Sequence, residues 1–357
     1  MNACDRSAQM TDFTSMDVAE LRDIIASHRA EVEADPPALV PAFAEAQLAL
    51  AAKLSEAGEM ERALAASIEG VDHLRLLTDS DVGTFAVHLA SALNNMSNRL
   101  SDLGRDDEAR LAGDEALSLG KRAIDTAPAE ARFVLVSTLM NQSGRSWRAG
   151  ESLRAIDELG QAVEIFRDGG EALYSFLGIM VDALHRNAMA LAEGGLWEEA
   201  IAVRRMTAEV FPEDQVPMAV HHLLALTLQQ GAFAKSRDGF YGESLPLVEE
   251  AAELARALAE AAPDQYRLFL AQSLANLASR QHEAHADAEA LDAAVEAVGV
   301  FQEQAKIDPA SALGPLVPTL ETFASILNTL GHTEQAQNIL GQRDHLLGVL
   351  EQAKGQA

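Results

Sequence analysis

LNNMSNRLSDLGRDDEARLAGDEAL, residues 93 to 117, is a helical hairpin written as sequence. Leu93, Leu100 and Leu103 make an apolar stripe at helical spacing. Gly104 breaks that helix, and Ala109, Ala116 and Leu117 open a second stripe behind an acidic first turn. A degraded copy of this stretch recurs along the chain. With Gly104 as marker, the same phase is held by Gly58, Gly104, Gly150, Gly195, Gly239, His285 and Gly331, at successive differences of 46, 46, 45, 44, 46 and 46. Self-similarity at a fixed period is the signature of a repeat array.

Independent columns agree with the marker. Five residues after it stand Ala63, Ala109, Ala155, Ala200, Ser244, Ala290 and Ala336; seven before it stand Ala51, Ser97, Ser143, Ala188, Ala232, Ala278 and Ala324. All are small, as the close packing of two helices requires. Fifteen before it are Phe43, Leu89, Leu135, Met180, Leu224, Leu270 and Leu316, and eleven before it Leu recurs in six units, with Gln47 the exception. The spacing reads helix, turn, helix. Aromatic residues are only 5% of the chain, which suits Ala and Leu helix packing and argues against a sheet-built fold. An all-α fold is expected.

These residues resemble the tetratricopeptide repeat family. Its order of a large residue, a small one, Leu-Gly and then Glu-Ala is matched by Leu93, Ser97, Leu103, Gly104, Glu108 and Ala109. Gly195-Leu-Trp-Glu-Glu-Ala-Ile201 and Gly58-Glu-Met-Glu-Arg-Ala-Leu64 match it again. The usual period is about 34, so a period near 46 lengthens each helix by roughly six residues, or about 9 Å. Long repeats of this kind are similar to those of kinesin light chains and of actinobacterial repeat arrays. The resemblance covers residues 38 to 352. It implies an α-solenoid of about seven helical hairpins in a right-handed superhelix, with scaffolding and peptide binding as its work and usually no catalysis.

Around the array, residues 1–16 read as a polar tail and 353–357 as another. Asp17 and Glu20 form a capping pair for a leading helix over 17–34, with Val18, Leu21, Ile24 and Ile25 on one face. That helix is either a cap over the first repeat or a docking element. Unit five is irregular. Gly231 and the run AFAKSRDGFYG predict that its first helix ends early and leaves a loop over 231 to 242, either a binding loop or ordinary repeat drift.

Composition restricts the partners. Fifty-five acidic against 27 basic side chains give a formal net charge of -28, a field that repels nucleic acid and anionic membranes. No apolar run approaches the roughly 20 residues that span a bilayer. Cys4 is the only cysteine and no basic-apolar leader stands near residue 1, so a cytoplasmic location is expected. No cofactor-binding motif is present, and nothing in the sequence bears on oligomeric state. His282-Glu-Ala-His285 with Asp287 lacks a distant ligand, so no metal site is expected; His221 and His222 are adjacent and point apart on a helix.

The resemblance places the first helix of each hairpin on the concave surface. Nine residues before the marker, that helix carries Ala49, Asn95, Asn141, Arg186, Gln230, Asn276 and Thr322; one turn on it carries Lys53, Arg99, Arg145, Ala190, Ala234, Arg280 and Ile326. The asparagine column coincides with the position at which peptide-binding members of the family hold a peptide backbone. Asparagine amides both donate and accept, and arginine binds carboxylates bidentately. The candidate groove is therefore Asn95, Arg99, Asn141, Arg145, Arg186, Gln230, Asn276 and Arg280, suited to an acidic peptide or a free C-terminal carboxylate. The competing role for these side chains is to join successive repeats. Trp147 and Trp197 sit near the turns, as packing residues or as partner anchors. A non-catalytic scaffold that captures a peptide or helix of a partner protein is the first reading. A sensor for a small molecule or signalling peptide is the second, and an enzyme on a helical-repeat scaffold the third.

Overall fold

The computed structural model describes residues 13–34, 36–80 and 82–354, and among these there are fifteen α-helices and no strand. The chain divides into two units, Met1–Met180 and Val181–Ala357. The first holds α1 (Val18–Ala34) and three hairpins: α2 (Pro36–Glu56) with α3 (Met60–Ser80), α4 (Val82–Asp102) with α5 (Asp106–Arg122), and α6 (Pro128–Arg148) with α7 (Ser152–Gly169). A 3-10 stretch, Gly170–Phe176, follows and leads into α8 (Leu177–Glu193). The second unit holds the rest of α8 with α9 (Trp197–Glu209), then α10 (Met218–Arg237) with α11 (Tyr241–Ala261), α12 (Pro263–Glu283) with α13 (Asp287–Ile307), and α14 (Pro309–Thr329) with α15 (Thr333–Lys354).

The period follows from helix length. Helices α12 and α13 are 21 residues each. A three-residue turn and the single residue Asp308 complete the 46. All seven marker residues are left-handed, with φ from 73° at Gly104 to 88° at Gly239 for the glycines and 62° at His285. Each closes its first helix in the same way. At Gly104 the marker N–H donates to Ser101 and the next N–H, of Arg105, reaches back to Leu100, both at 2.9 Å. The other six turns repeat that pair of bonds, as at His285, whose N–H donates to His282 while Ala286 donates to Gln281. This double bond is the helix-ending motif that needs a left-handed residue. It explains why glycine marks the period.

The small columns lie where the two helices of a hairpin cross. Ala63, Ala109, Ala200, Ser244, Ala290 and Ala336 are fully buried, as are Ala51, Ser97, Ser143 and Ala232. Where the earlier column is serine its hydroxyl takes a carbonyl of the partner helix: Ser97 Oγ donates to Ala109 O at 2.6 Å and Ser143 Oγ to Ala155 O at 2.8 Å. Leu93, Leu139, Leu184, Leu228, Leu274 and Leu320 fill the interior beside them. Within each unit a second helix packs on the first helix of the next hairpin, as α3 does on α4 and α11 on α12.

Helix α1 takes the place of a second helix in this scheme. Arg29 pairs with Glu69 of α3 as Arg75 pairs with Glu115 of α5 and Arg256 with Glu296 of α13, each across 40 residues. Asp17 Oδ1 accepts from the N–H groups of Ala19 and Glu20, and Glu20 Oε2 accepts from Asp17 N at 2.9 Å, so the capping pair is made. Leu21 and Ile25 are buried in the same core as Phe43.

Three expectations need correcting. The loop over 231 to 242 does not form: α10 runs through Gly231 to Arg237, and only Asp238, Gly239 and Phe240 separate it from α11. Gly231 is a packing residue, because a Cβ there would stand 3.1 Å from Ile201 Cδ1 and 3.3 Å from Trp197 Cβ. The leading tail is shorter than 1–16, since Phe13–Ser15 is a 3-10 turn whose Phe13 enters the core; residues 1–12 lie outside the described residues. Finally, α14 is long and apolar enough to cross a membrane by length and composition alone. Its Ala312, Leu316 and Leu320 are buried with Val298 and Phe301. At the other end α15 reaches Lys354, and 355–357 lie outside the described residues.

The marker geometry gives a direct test. Among the described residues His285 is the one with a side chain that holds the left-handed conformation, which costs a β-carbon about 1 kcal/mol. His285→Gly should raise the denaturant midpoint, and Gly104→Ala, whose new Cβ meets nothing within 4 Å, should lower it by backbone strain alone. Equal stability of all three proteins would refute the assignment.

Candidate functional site

In the first unit the candidate side chains divide between surface and seam. Asn95 on α4 is exposed, and Arg99, one turn on, donates from Nη1 to Asn95 O at 2.9 Å. Burial pulls the Arg99 guanidinium below its ordinary value, and its Nε is unpartnered. On α6, Asn141 donates to Asn94 Oδ1 at 3.2 Å, and Asn94 in turn faces Ser137. Arg145 is 6% exposed, with Nη1 at 3.4 Å from Asn98 Oδ1 and Nη2 unpartnered. Burial also lowers its pKa, against the pull of Glu158 and Asp106. These contacts join α4 to α6.

The second unit arranges the same columns differently. Arg186 is exposed on α8 and Gln230 on α10. Asn276 on α12 donates to Gln229 Oε1 at 2.8 Å, and Gln229 Nε2 donates to Ser273 Oγ at 2.7 Å. Arg280 lies 5.6 Å over the ring of Phe233, which is 60% exposed, and pairs with Glu283 at 3.0 Å. Between α10 and α12 a cavity of about 450 Å³ is lined by Trp197, Gln230, Phe233, Arg237, Asn276 and Arg280. Gln229 and Asn276 form its border with a second cavity of about 370 Å³, which runs over α12 to Pro315, Pro318 and Thr322 on α14. The first helices α10, α12 and α14 thus share one groove. It brings together Gln230, Asn276 and Arg280 of the candidate residues; neither cavity is lined by Arg186.

The groove's charge differs from that of the chain. Two guanidinium groups, those of Arg237 and Arg280, line it and no carboxylate does. Arg280 Nη2 is held by Ser279 Oγ and Glu283 and Arg237 Nε by Asp238, so it is their remaining N–H groups that face the groove and can meet an anion. The sequence reading missed Phe233 and Gln229, and left Trp197 as either a packing residue or a partner anchor. Phe233 was readable: six residues before the marker the other units carry Ala52, Asn98, Gly144, Met189, Ser279 and Ser325, so an aromatic there is out of pattern. Trp197 lines the groove, and its Cβ faces Gly231.

His282 is engaged through both ring nitrogens, Nδ1 with Asp287 and Nε2 with Ser325 Oγ at 2.9 Å, while His285 forms the turn. Among the described residues no three His, Cys, Asp or Glu side chains come together.

No family model matches the chain, and no curated protein matches it. Solved structures do. A kinesin light chain of Podosopora anserina with nearly identical TPR-like repeats is similar at 17% identity over 60% of this chain and 95% of its own, with a TM-score of 0.35. A circular tandem repeat protein is 16% identical over 95% of this chain and 91% of its own, TM-score 0.43. A Rap protein in complex with Competence and Sporulation Factor is 13% identical over 94% and 86%, TM-score 0.33. The assignment of a helical-hairpin array stands on the seven turns themselves.

Two histidines of the second unit make stability depend on pH. Burial lowers the pKa of His222, whose ring packs edge-on against Tyr266 and Phe269. Burial and the neighbouring Arg204, which donates to His185 Nδ1 at 2.8 Å, lower that of His185. Both folded values lie below the unfolded value of about 6.5, so the unfolded chain binds more protons as pH falls. Stability should be full above that value and decline as pH drops through it. Melting temperature should therefore fall between pH 7.5 and 5.5. His222→Phe, which keeps the ring packing without a titrating group, should reduce that fall; an unchanged slope would show that His222 contributes nothing.

Proposed function

We propose that this chain is a non-catalytic interaction module that holds an extended peptide or a helix of a partner protein in the groove over α10, α12 and α14. The observation that carries the reading is the groove's composition. In a chain of net charge -28, a continuous first-helix surface presents exposed Phe233, the Arg237 and Arg280 guanidinium groups, a Gln229–Asn276 amide pair and no carboxylate.

Each part suits one part of a peptide. The amides of Gln230 and Asn276 can donate to and accept from a backbone, which is how an extended chain is held without regard to its sequence. Phe233 and Trp197 offer apolar area for one side chain, of the kind that dominates binding energy when covered. Arg280 and Arg237 select a carboxylate, from an acidic side chain or a free C-terminus, and the acidic remainder of the protein repels basic competitors.

The test is selection of peptides from a randomised display library against the whole chain, followed by titration of the best ligand into variants. Phe233→Ala should weaken binding by about 2 kcal/mol as a central aromatic contact. Arg280→Gln should cost about 0.5 to 1 kcal/mol, less at high salt. Selected peptides should be enriched in Asp, Glu or a free carboxylate. Ligands that bind Phe233→Ala, Asn276→Ala and Arg280→Gln as well as the parent would place recognition elsewhere and end this reading.

A further inference from the structure

A second cavity, in the first unit and distant in sequence from the groove, points to a different kind of ligand. It measures about 550 Å³ and lies among α1, α2 and α3. Its floor is aliphatic: Ile25, Leu50 and Leu54 are 6%, 7% and 2% exposed. Into that floor comes Gln47, 2% exposed, with no hydrogen-bond partner among the described residues. The other six repeats place Leu there. Leucine at that position would pack, whereas the Gln47 amide opens on the cavity with no protein partner among the described residues and can bond whatever occupies it.

The rim repeats the contrast. Three arginines line the cavity, with Glu69 the one carboxylate. Arg29 is paired with Glu69 and Arg62 with Glu59, while Arg22 is exposed and has no partner among the described residues. One period later the corresponding positions are Ile68 for Arg22, Asp72 for Ala26, Leu93 for Gln47, Glu108 for Arg62 and Leu111 for Ala65. Ala26, Ala65, the charges of Arg22 and Arg62 and the Gln47 amide thus coincide at the first seam and are replaced at the next, where Arg29 and Ala66 keep their type as Arg75 and Ala112.

We propose that this cavity binds a small aliphatic carboxylate. The chain of the ligand lies on Ile25, Leu50 and Leu54, and its head group accepts from the Gln47 amide and faces the Arg22 guanidinium. A volume of this size is ordinary for a small-molecule site, which spans about 300 to 1,000 Å³. The lining contains no aromatic side chain, so an aliphatic body fits better than a stacked ring. The proposal does not depend on the peptide groove, which lies in the other unit.

Octanoate is a suitable probe, titrated calorimetrically into the full chain beside 1-octanol and octylamine. Octanoate should bind at one site, with the alcohol weaker by about tenfold and the amine not binding. Gln47→Leu restores the residue of the other six repeats, so it should raise the melting temperature while weakening octanoate by about tenfold or more. Arg22→Gln should weaken it about two- to fivefold at low salt, and less at high salt. Ala65→Leu, which supplies at the rim the side chain that Leu111 supplies one repeat on, should block the cavity from outside and keeps the test readable if Gln47→Leu misfolds. Absence of octanoate binding at millimolar concentration, equal binding of octanol, or binding unaltered by both Gln47→Leu and Ala65→Leu would overturn the proposal.

Discussion

The left-handed residue at the end of each first helix is the constraint from which the other columns follow. Two backbone bonds, from the marker N–H and from the one after it, reverse the chain in a fixed geometry, and that fixes which faces of the two helices meet. Once the turn is set, the residue seven before the marker and the residue five after it must cross at close range, so both are small. Ser97 and Ser143 satisfy the same closeness with a hydroxyl, each bonding the carbonyl twelve residues on. His285 shows that the conformation is the requirement and glycine only its usual solution.

Between hairpins a second rule operates through polar contacts. First helices meet across 47 residues: Asn94 with Asn141, Asn98 with Arg145, Ser101 with Arg148, Gln229 with Asn276 and Ser236 with Glu283. Second helices meet across 40, where Arg75 and Arg256 each grip a carboxylate with two N–H groups. Bidentate pairs on half-exposed surface add little energy each, but their directionality opposes a slip of one repeat against the next. Apolar columns alone would tolerate such a slip poorly but not forbid it.

This second rule is why the fold was more legible than the site. Period, helix pairing, small columns and the capping pair at Asp17 and Glu20 depend on residues near one another in sequence or on one hairpin, so spacing reveals them. A polar column one turn beyond the asparagines is equally periodic whether it faces a groove or a neighbouring helix. Arg145 and Arg280 occupy the same position, yet one is buried against Asn98 and the other lies over Phe233. The neighbouring column decides between them: Asn98 accepts a hydrogen bond where Phe233 offers a ring face. Gly231 misled for a related reason. Glycine breaks helices by propensity, but tertiary crowding by Ile201 and Trp197 makes it the residue that lets α10 continue. The 40-residue arginine and glutamate pairing was present in the sequence throughout, and it would have identified α1 as a second helix.

Acidity, too, has a local origin before it has a global effect. The second helices begin with acids: Asp106, Asp107 and Glu108 on α5, Glu198 and Glu199 on α9, Asp287 and Glu289 on α13, and one each on α3, α11 and α15. A carboxylate in the first turn interacts favourably with the helix dipole and its free N–H groups. Six of the seven hairpins repeat this preference, α7 being the exception, and their ten first-turn acids are part of the excess of 28 acidic over basic side chains. Many arginines, by contrast, pair with carboxylates across repeats or within a turn. Positive charge beside uncovered apolar surface is scarce: it is found at Arg237 and Arg280 in one unit, where Asp238 and Glu283 each pair one of them, and at Arg22 in the other. In a protein whose field repels anions at long range, such sites gain selectivity because an anion is held only where close contact and desolvation outweigh the repulsion.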